Sequence, residues 1–188
     1  MRRSFVVRDK TRAYSCCQTR GREMDVLNDF LDLAWARHQN PLSWYVRPLF
    51  ILPFCYFAYK KSVRGIVLTL VAVTSSMFWF PVPATPDPRA VALLDVERQY
   101  VGGPLTFERI VLTTLIPIWF FALAWSVRRR SWLGVATVIS SGTFLKVAWL
   151  FREAGSNAWL IVPPVALGTA VCAGVLLIAY TRERNRPA

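Results

Sequence analysis

Lys146 is the one basic residue set deep in a long apolar run, that of residues 131–151. An ammonium at mid-bilayer costs roughly 2.5–3.5 kcal/mol on insertion scales, so a lysine kept there calls for a physical reason. Two are available. It stands roughly 7–8 Å from Phe151 along a helix of about 1.5 Å rise, which lets the side chain snorkel to the interface. Otherwise it serves a polar cavity and pairs with a carboxylate, for which the loops offer Asp95, Glu97, Glu108 and Glu153. Its shallow depth favours snorkelling, and on that reading Lys146→Leu is silent or slightly stabilising.

The densest polar and aromatic cluster is His38-Gln39-Asn40-Pro41-Leu42-Ser43-Trp44-Tyr45-Val46-Arg47. Arg47 carries the planar fork that clamps a carboxylate or phosphate. The same mixture of Trp, Tyr and Arg also makes an interfacial anchor, which is the plainer reading. Lys146, Arg47, His38 and Asn40 together form the candidate polar site. No catalytic, cofactor-binding or metal-binding residue is expected. His38 is the only histidine, so a multi-histidine metal site is excluded. There is no Walker loop, dinucleotide fingerprint, HExxH or G-x-S-x-G. No carboxylate falls within a long apolar run, which weighs against an acidic relay of the kind used by ion-coupled transporters. Cys55 and Cys172 sit in apolar runs as small hydrophobes. The adjacent Cys16-Cys17 lacks the spacing of zinc or redox pairs; palmitoylation beside a basic tail is open to it in a eukaryote, but an incidental pair is expected.

These residues must be held by apolar segments. Runs near 43–59, 66–83, 110–127, 131–151 and 159–180 approach or reach the roughly 20 residues of a bilayer-crossing helix. The chain is therefore expected to be an all-α, polytopic transmembrane bundle of about five crossings. The run 43–59 is the short one, interrupted by Pro48 and Pro53, and either crosses or re-enters; crossing is preferred. Residues 24–40 pattern as an amphipathic interfacial helix, with Leu27, Phe30, Leu31, Ala34 and Trp35 at helical spacing. Asp87-Pro88 reads as N-cap and first turn of a second surface helix, closed by Gly102-Gly103-Pro104, with Val91, Leu94 and Val101 on its apolar side. Residues 152–158 read as a tight hairpin.

Charge sets orientation. The connections 60–65 and 128–130 each carry +3, and the segment after Tyr180 carries 3 − 1 = +2. The loop 84–109 carries 3 − 4 = −1 and 152–158 is neutral. The positive-inside rule puts the basic connections and the C-terminus in the cytoplasm and, with five crossings, the N-terminus outside. The first 23 residues, at 7 − 2 = +5, would break that rule outside. The segment 1–23 is accordingly read as a basic tail that is not part of the native chain, which would begin at Met24. The 19 arginines against four lysines suggest a GC-rich genome, and the bacterial cytoplasmic membrane is the expected location. The formal net charge of +12 is explained by this flanking role, so no nucleic-acid partner is expected.

Small residues mark where helix backbones approach closely. Ala166, Ala170 and Gly174 form one small-xxx-small stripe, and Ala136 with Ser140 another. Trp119, mid-run, is expected to pack between helices. The hydroxyl pairs Ser75-Ser76, Thr113-Thr114 and Ser140-Ser141 offer a polar path, although such groups mostly bond their own helix. The preferred functional reading is a non-catalytic membrane subunit, its partners the bilayer and another membrane protein or a second copy. The other is a small carrier or lipid-handling protein with an outward-facing polar site.

Overall fold

The computed structural model describes residues 28–185, of which 86% are helical, with no strand among them. Readings that concern residues 1–23, Cys16-Cys17 and Met24 lie outside the described residues. The helices are α1 (28–38), α2 (Pro41–Val46), α3 (Ile51–Tyr59), α4 (Val63–Ser75), α5 (Pro88–Gly102), α6 (Phe107–Arg128), α7 (Trp132–Ala154) and α8 (Val162–Arg184). Short 3-10 turns occupy Arg47–Phe50, Ser76–Phe78 and Gly155–Ile161.

Two helical stretches are long and apolar enough to cross a membrane: Phe107–Arg128, and Trp132–Arg182, which folds back on itself. Only 11% and 17% of their most apolar windows are buried inside the protein. A core helix of a soluble protein hides its apolar face; these present it outward. The expected run 66–83 is shorter in the structure. Its apolar helix spans Val63–Phe78, because Pro81 and Pro83 cannot continue it.

The α3–α4 and α6–α7 connections are the same turn built twice. Ser62 N–H donates to Phe57 O (3.0 Å) and Lys61 N–H to Ala58 O (3.1 Å); Ser131 N–H donates to Ser126 O (3.0 Å) and Arg130 N–H to Val127 O (3.0 Å). This is the Schellman pattern, with Lys61 and Arg130 at φ 54° and 55° where glycine is usual. The next residue, Ser62 or Ser131, then caps the following helix through its hydroxyl. A cation at a helix C-terminus also meets the negative end of the helix dipole.

The helices pack antiparallel around two apolar cores. The first joins α3, α6 and α7 through Phe54, Ala58, Leu123, Val127, Val135 and Ile139. The second, at the opposite end, gathers Trp44, Ala90, Leu93, Leu94, Leu150 and Ala158. The Trp132 and Tyr180 rings lie 6.5 Å apart, so α8 returns alongside α7 and ends beside its start. Arg130 reaches the Tyr59 hydroxyl at 3.3 Å. The three basic connections therefore share one end of the molecule.

Helix α5 has the predicted boundaries, with the Asp87 carboxylate accepting from Arg89 N–H and Gly103 closing it. Its inward face differs from the expected one. Ala90, Leu93 and Leu94 are buried, while Val101 is exposed. The helix is docked on the bundle by that face.

The stripes expected to pack helices together do not do so within the chain. Ala166, Ala170, Gly174, Ala136 and Ser140 are all exposed, and open space surrounds Gly174. The close contacts of α8 lie half a turn away at Pro164, Gly168 and Cys172, all buried. A Cβ on Gly168 would clash with the ring of Pro48. Spacing alone does not say which of two small-residue faces is the inner one; Pro48 decides it here. Trp119 lies between α6 and α7, its indole donating to Val138 O at 2.7 Å and covering Gly142.

Candidate functional site

Four elements bring His38, Arg47, Glu97 and Lys146 to one place. His38 ends α1, Arg47 opens the 3-10 turn after α2, Glu97 lies on α5 and Lys146 on α7. Trp44 fixes the first two by donating its indole N–H to His38 O at 3.1 Å. Pro48 explains the turn, since it has no N–H to give to a continued α-helix. Glu97 is carried in because Ala90, Leu93, Leu94 and Glu97 fall on one face of α5.

Lys146 Nζ donates to Glu97 Oε1 at 2.5 Å and stands 5.0 Å from the Trp149 ring. The expectation of a lysine that only snorkels gives way to an ion pair, with Glu97 chosen from the four loop carboxylates. The pair is graded in exposure: the Lys146 side chain is 51% exposed and that of Glu97 22%. Burial opposes ionisation of Glu97 and is the largest influence on it, but Lys146 and the other neighbouring cation, Arg47, together hold its pKa below the ordinary glutamate value.

His38 is buried and neutral. Arg47 Nη1 approaches its Nε2 at 2.8 Å. Arginine has only donors, so Nε2 accepts and Nδ1 carries the proton, which it donates to Ser43 Oγ at 3.3 Å. Ser43 in turn donates to Asn40 O at 2.8 Å. Burial first, and the Arg47 charge second, lower the His38 pKa to about 4. Glu97 Oε2 lies 3.9 Å from Nε2, outside hydrogen-bond range.

Arg47 completes its contacts through Nε, which donates to Ser76 Oγ at 3.2 Å; Ser76 donates onward to Val73 O at 2.6 Å. Both partners of Arg47, an imidazole and a hydroxyl, are neutral. Among the described residues no carboxylate lies within ion-pairing distance of it. Asn40 is not in the cluster. Its amide donates to Pro81 O at 3.1 Å and its Oδ1 caps α2 through Leu42 N–H. Of the other hydroxyls, Ser75, Thr114 and Ser141 bond carbonyls of their own helices, and Thr113 meets the Tyr100 hydroxyl at 3.3 Å.

The four side chains form the polar end of a cavity of about 380 Å³, within the roughly 300–1,000 Å³ of ligand pockets. Away from them its walls are mostly apolar, with Phe54, Leu70, Val73, Trp119 and Phe120, and with Thr69, whose hydroxyl bonds Gly65 O at 2.8 Å. It lies between the two cores, lined by Phe54 of one and by Leu93 and Leu94 of the other. The hydroxyl beside the imidazole, that of Ser43, gives its proton to Asn40 O and accepts from Nδ1, and no group of three or more metal-ligating side chains occurs among the described residues. The cavity combines a charged cluster with a mostly apolar wall. A scan of protein-family models and searches of curated proteins and solved structures find nothing that matches the chain.

Proposed function

We propose that this chain is a small integral membrane protein of five crossings, basic end cytoplasmic, that binds the apolar tail of an amphiphile in an outward-facing cavity and acts as a lipid-handling protein. The observation that carries the reading is the cavity itself. The charged groups cluster together, the Thr69 hydroxyl on the wall is already bonded to Gly65 O, and the otherwise apolar remainder lies inside a bundle whose own outer surface is apolar. A membrane protein can keep such a space only if water or apolar chains fill it, and walls of Phe, Leu, Val and Trp favour chains.

Leu70 supplies the test, since it lines the cavity and packs at the edge of the first core. Leu70→Trp fills the space. Native mass spectrometry from nonionic micelles should show saturable binding of one dodecyl-chain amphiphile to the wild type and none to a Leu70→Trp protein of unchanged melting temperature. Equal binding to both would refute the cavity as the site.

A second reading, a non-catalytic subunit, draws on the outward stripe Ala166, Ala170 and Gly174. A second copy or another membrane protein could approach closely there. Gly174→Leu should then dissociate an assembly without lowering the stability of the monomer.

A further inference from the structure

The cavity end holds two fixed cations, Arg47 and Lys146, and one carboxylate, Glu97. With His38 neutral its charge is 2 − 1 = +1. Glu97 is committed to Lys146 at 2.5 Å. Arg47 is partly buried; its hydrogen-bond partners His38 and Ser76 are neutral, and Glu97, the carboxylate that acts on it through space, is already paired with Lys146. A desolvated cation without a counter-charge is costly unless an anion or water compensates it. Arg47 also borders the cavity, and none of the hydrogen bonds made among the described residues uses its Nη2.

We infer that the amphiphile is anionic, and that its headgroup, a carboxylate or a phosphate monoester, is bound by the Arg47 guanidinium with Lys146 at its flank. This rests on the cavity being the amphiphile site and adds the headgroup class. Two features fit an anion and not a cation or a neutral head. The guanidinium fork matches two oxygens of either group. Ser76 and His38 hold the fork in place from the side, at 3.2 Å and 2.8 Å, so little ordering remains when the anion arrives. Glu97 ranks the two heads: a carboxylate at Arg47 brings the site to neutrality, while a phosphate monoester, with about −1.5 to −2 charge at pH 7, also meets like-charge repulsion from Glu97.

The test is a headgroup series on one chain length with the full wild-type protein in nonionic micelles, read by native mass spectrometry. Dodecanoate and dodecyl phosphate should bind at least about tenfold more tightly than dodecanol. Dodecyltrimethylammonium should bind more weakly than dodecanol. Whichever anion binds more tightly identifies the headgroup source, a free fatty acid or a phosphorylated lipid. Arg47→Gln should reduce the anions to the level of dodecanol, and Arg47→Lys should keep part of the preference. If all four amphiphiles bind alike, or the cation binds best, the headgroup inference is wrong and the cavity reading stands. If none binds saturably, the cavity reading itself falls. The wild-type series decides between these outcomes even where a variant folds poorly.

Discussion

The two ends of the bundle treat their cations differently. At the end that gathers the α3–α4 and α6–α7 turns, cations stand against aromatic rings: Lys60 lies 6.0 Å from Tyr56 and Arg129 4.7 Å from Trp125. At the other end they stand mostly against carboxylates: Arg98 with Asp32 at 2.5 Å, Lys146 with Glu97 at 2.5 Å, Arg152 with Glu108 at 2.8 Å. Rings leave the charge in place, whereas carboxylates cancel it. The first end thus keeps a net positive field suited to a cytoplasmic leaflet. The second is nearly neutral, and against that background Arg47 stands out as the cavity cation that makes no contact ion pair with a carboxylate.

The largest effect expected from breaking this contrast is on topology. Reporter fusions after residues 62, 129 and 188 should report cytoplasm, and those after 105 and 155 the outside. Replacing Arg128, Arg129 and Arg130 together by Gln should send a measurable fraction of the 129 fusion outside.

Acid should weaken the neutral end next. The folded-state pKa of His38, about 4, lies below the ordinary value of 6.5. The stability it contributes is therefore full above pH 6.5, and is lost as pH falls from there towards 4, because the unfolded chain takes up a proton that the folded chain refuses. The full loss is on the order of 3 kcal/mol. The groups facing the imidazole are Ser43, Trp44, Arg47, Glu97 and Lys146. Glu97, whose pKa is also lowered, adds its own loss only below about 4.5. Thermal melts from pH 7.5 to 4.5, values chosen roughly to span that window, should slope steeply for the wild type and be nearly flat for His38→Gln.

A smaller loss follows from Lys146→Leu. It strands Glu97, but the lysine is half-exposed, so the cost is about 1–2 kcal/mol and not the roughly 3–5 kcal/mol of a fully buried pair. Adding Glu97→Gln should recover part of it. A melting temperature unchanged by Lys146→Leu would return the residue to simple snorkelling.

The smallest effect concerns the repeated turn. Lys61→Gly or Arg130→Gly relieves a positive-φ cost of roughly 1 kcal/mol and should raise stability by up to that amount. The same changes remove charge from the orienting end, so the fusion reporters should become less uniform as the melts improve.

Much of this was legible in the residues. Asp87-Pro88 and Gly102-Gly103 mark α5 because capping and chain-breaking are local chemistry. Lys146 and Arg47 were conspicuous because apolar surroundings make a charge costly. Their meeting was not legible, since it depends on how α5 docks. A signal was present: Ala90, Leu93, Leu94 and Glu97 fall at i, i+3, i+4 and i+7, an inward face ending in a carboxylate. The small-residue stripes were ambiguous for the converse reason. Residues 166, 170 and 174 and residues 164, 168 and 172 both repeat every four positions, and only the contact of Gly168 with Pro48 on a distant segment selects the inner set.

The account depends most on the cavity holding an apolar tail. Photolabelling the protein in nonionic micelles with a fatty acid bearing a terminal diazirine tests this directly. The account predicts saturable labelling of Phe54, Leu70 or Phe120 on the cavity wall, competed by dodecanoate. Labelling confined to outward residues such as Leu68, Phe121 and Phe144, with no competition, would contradict it.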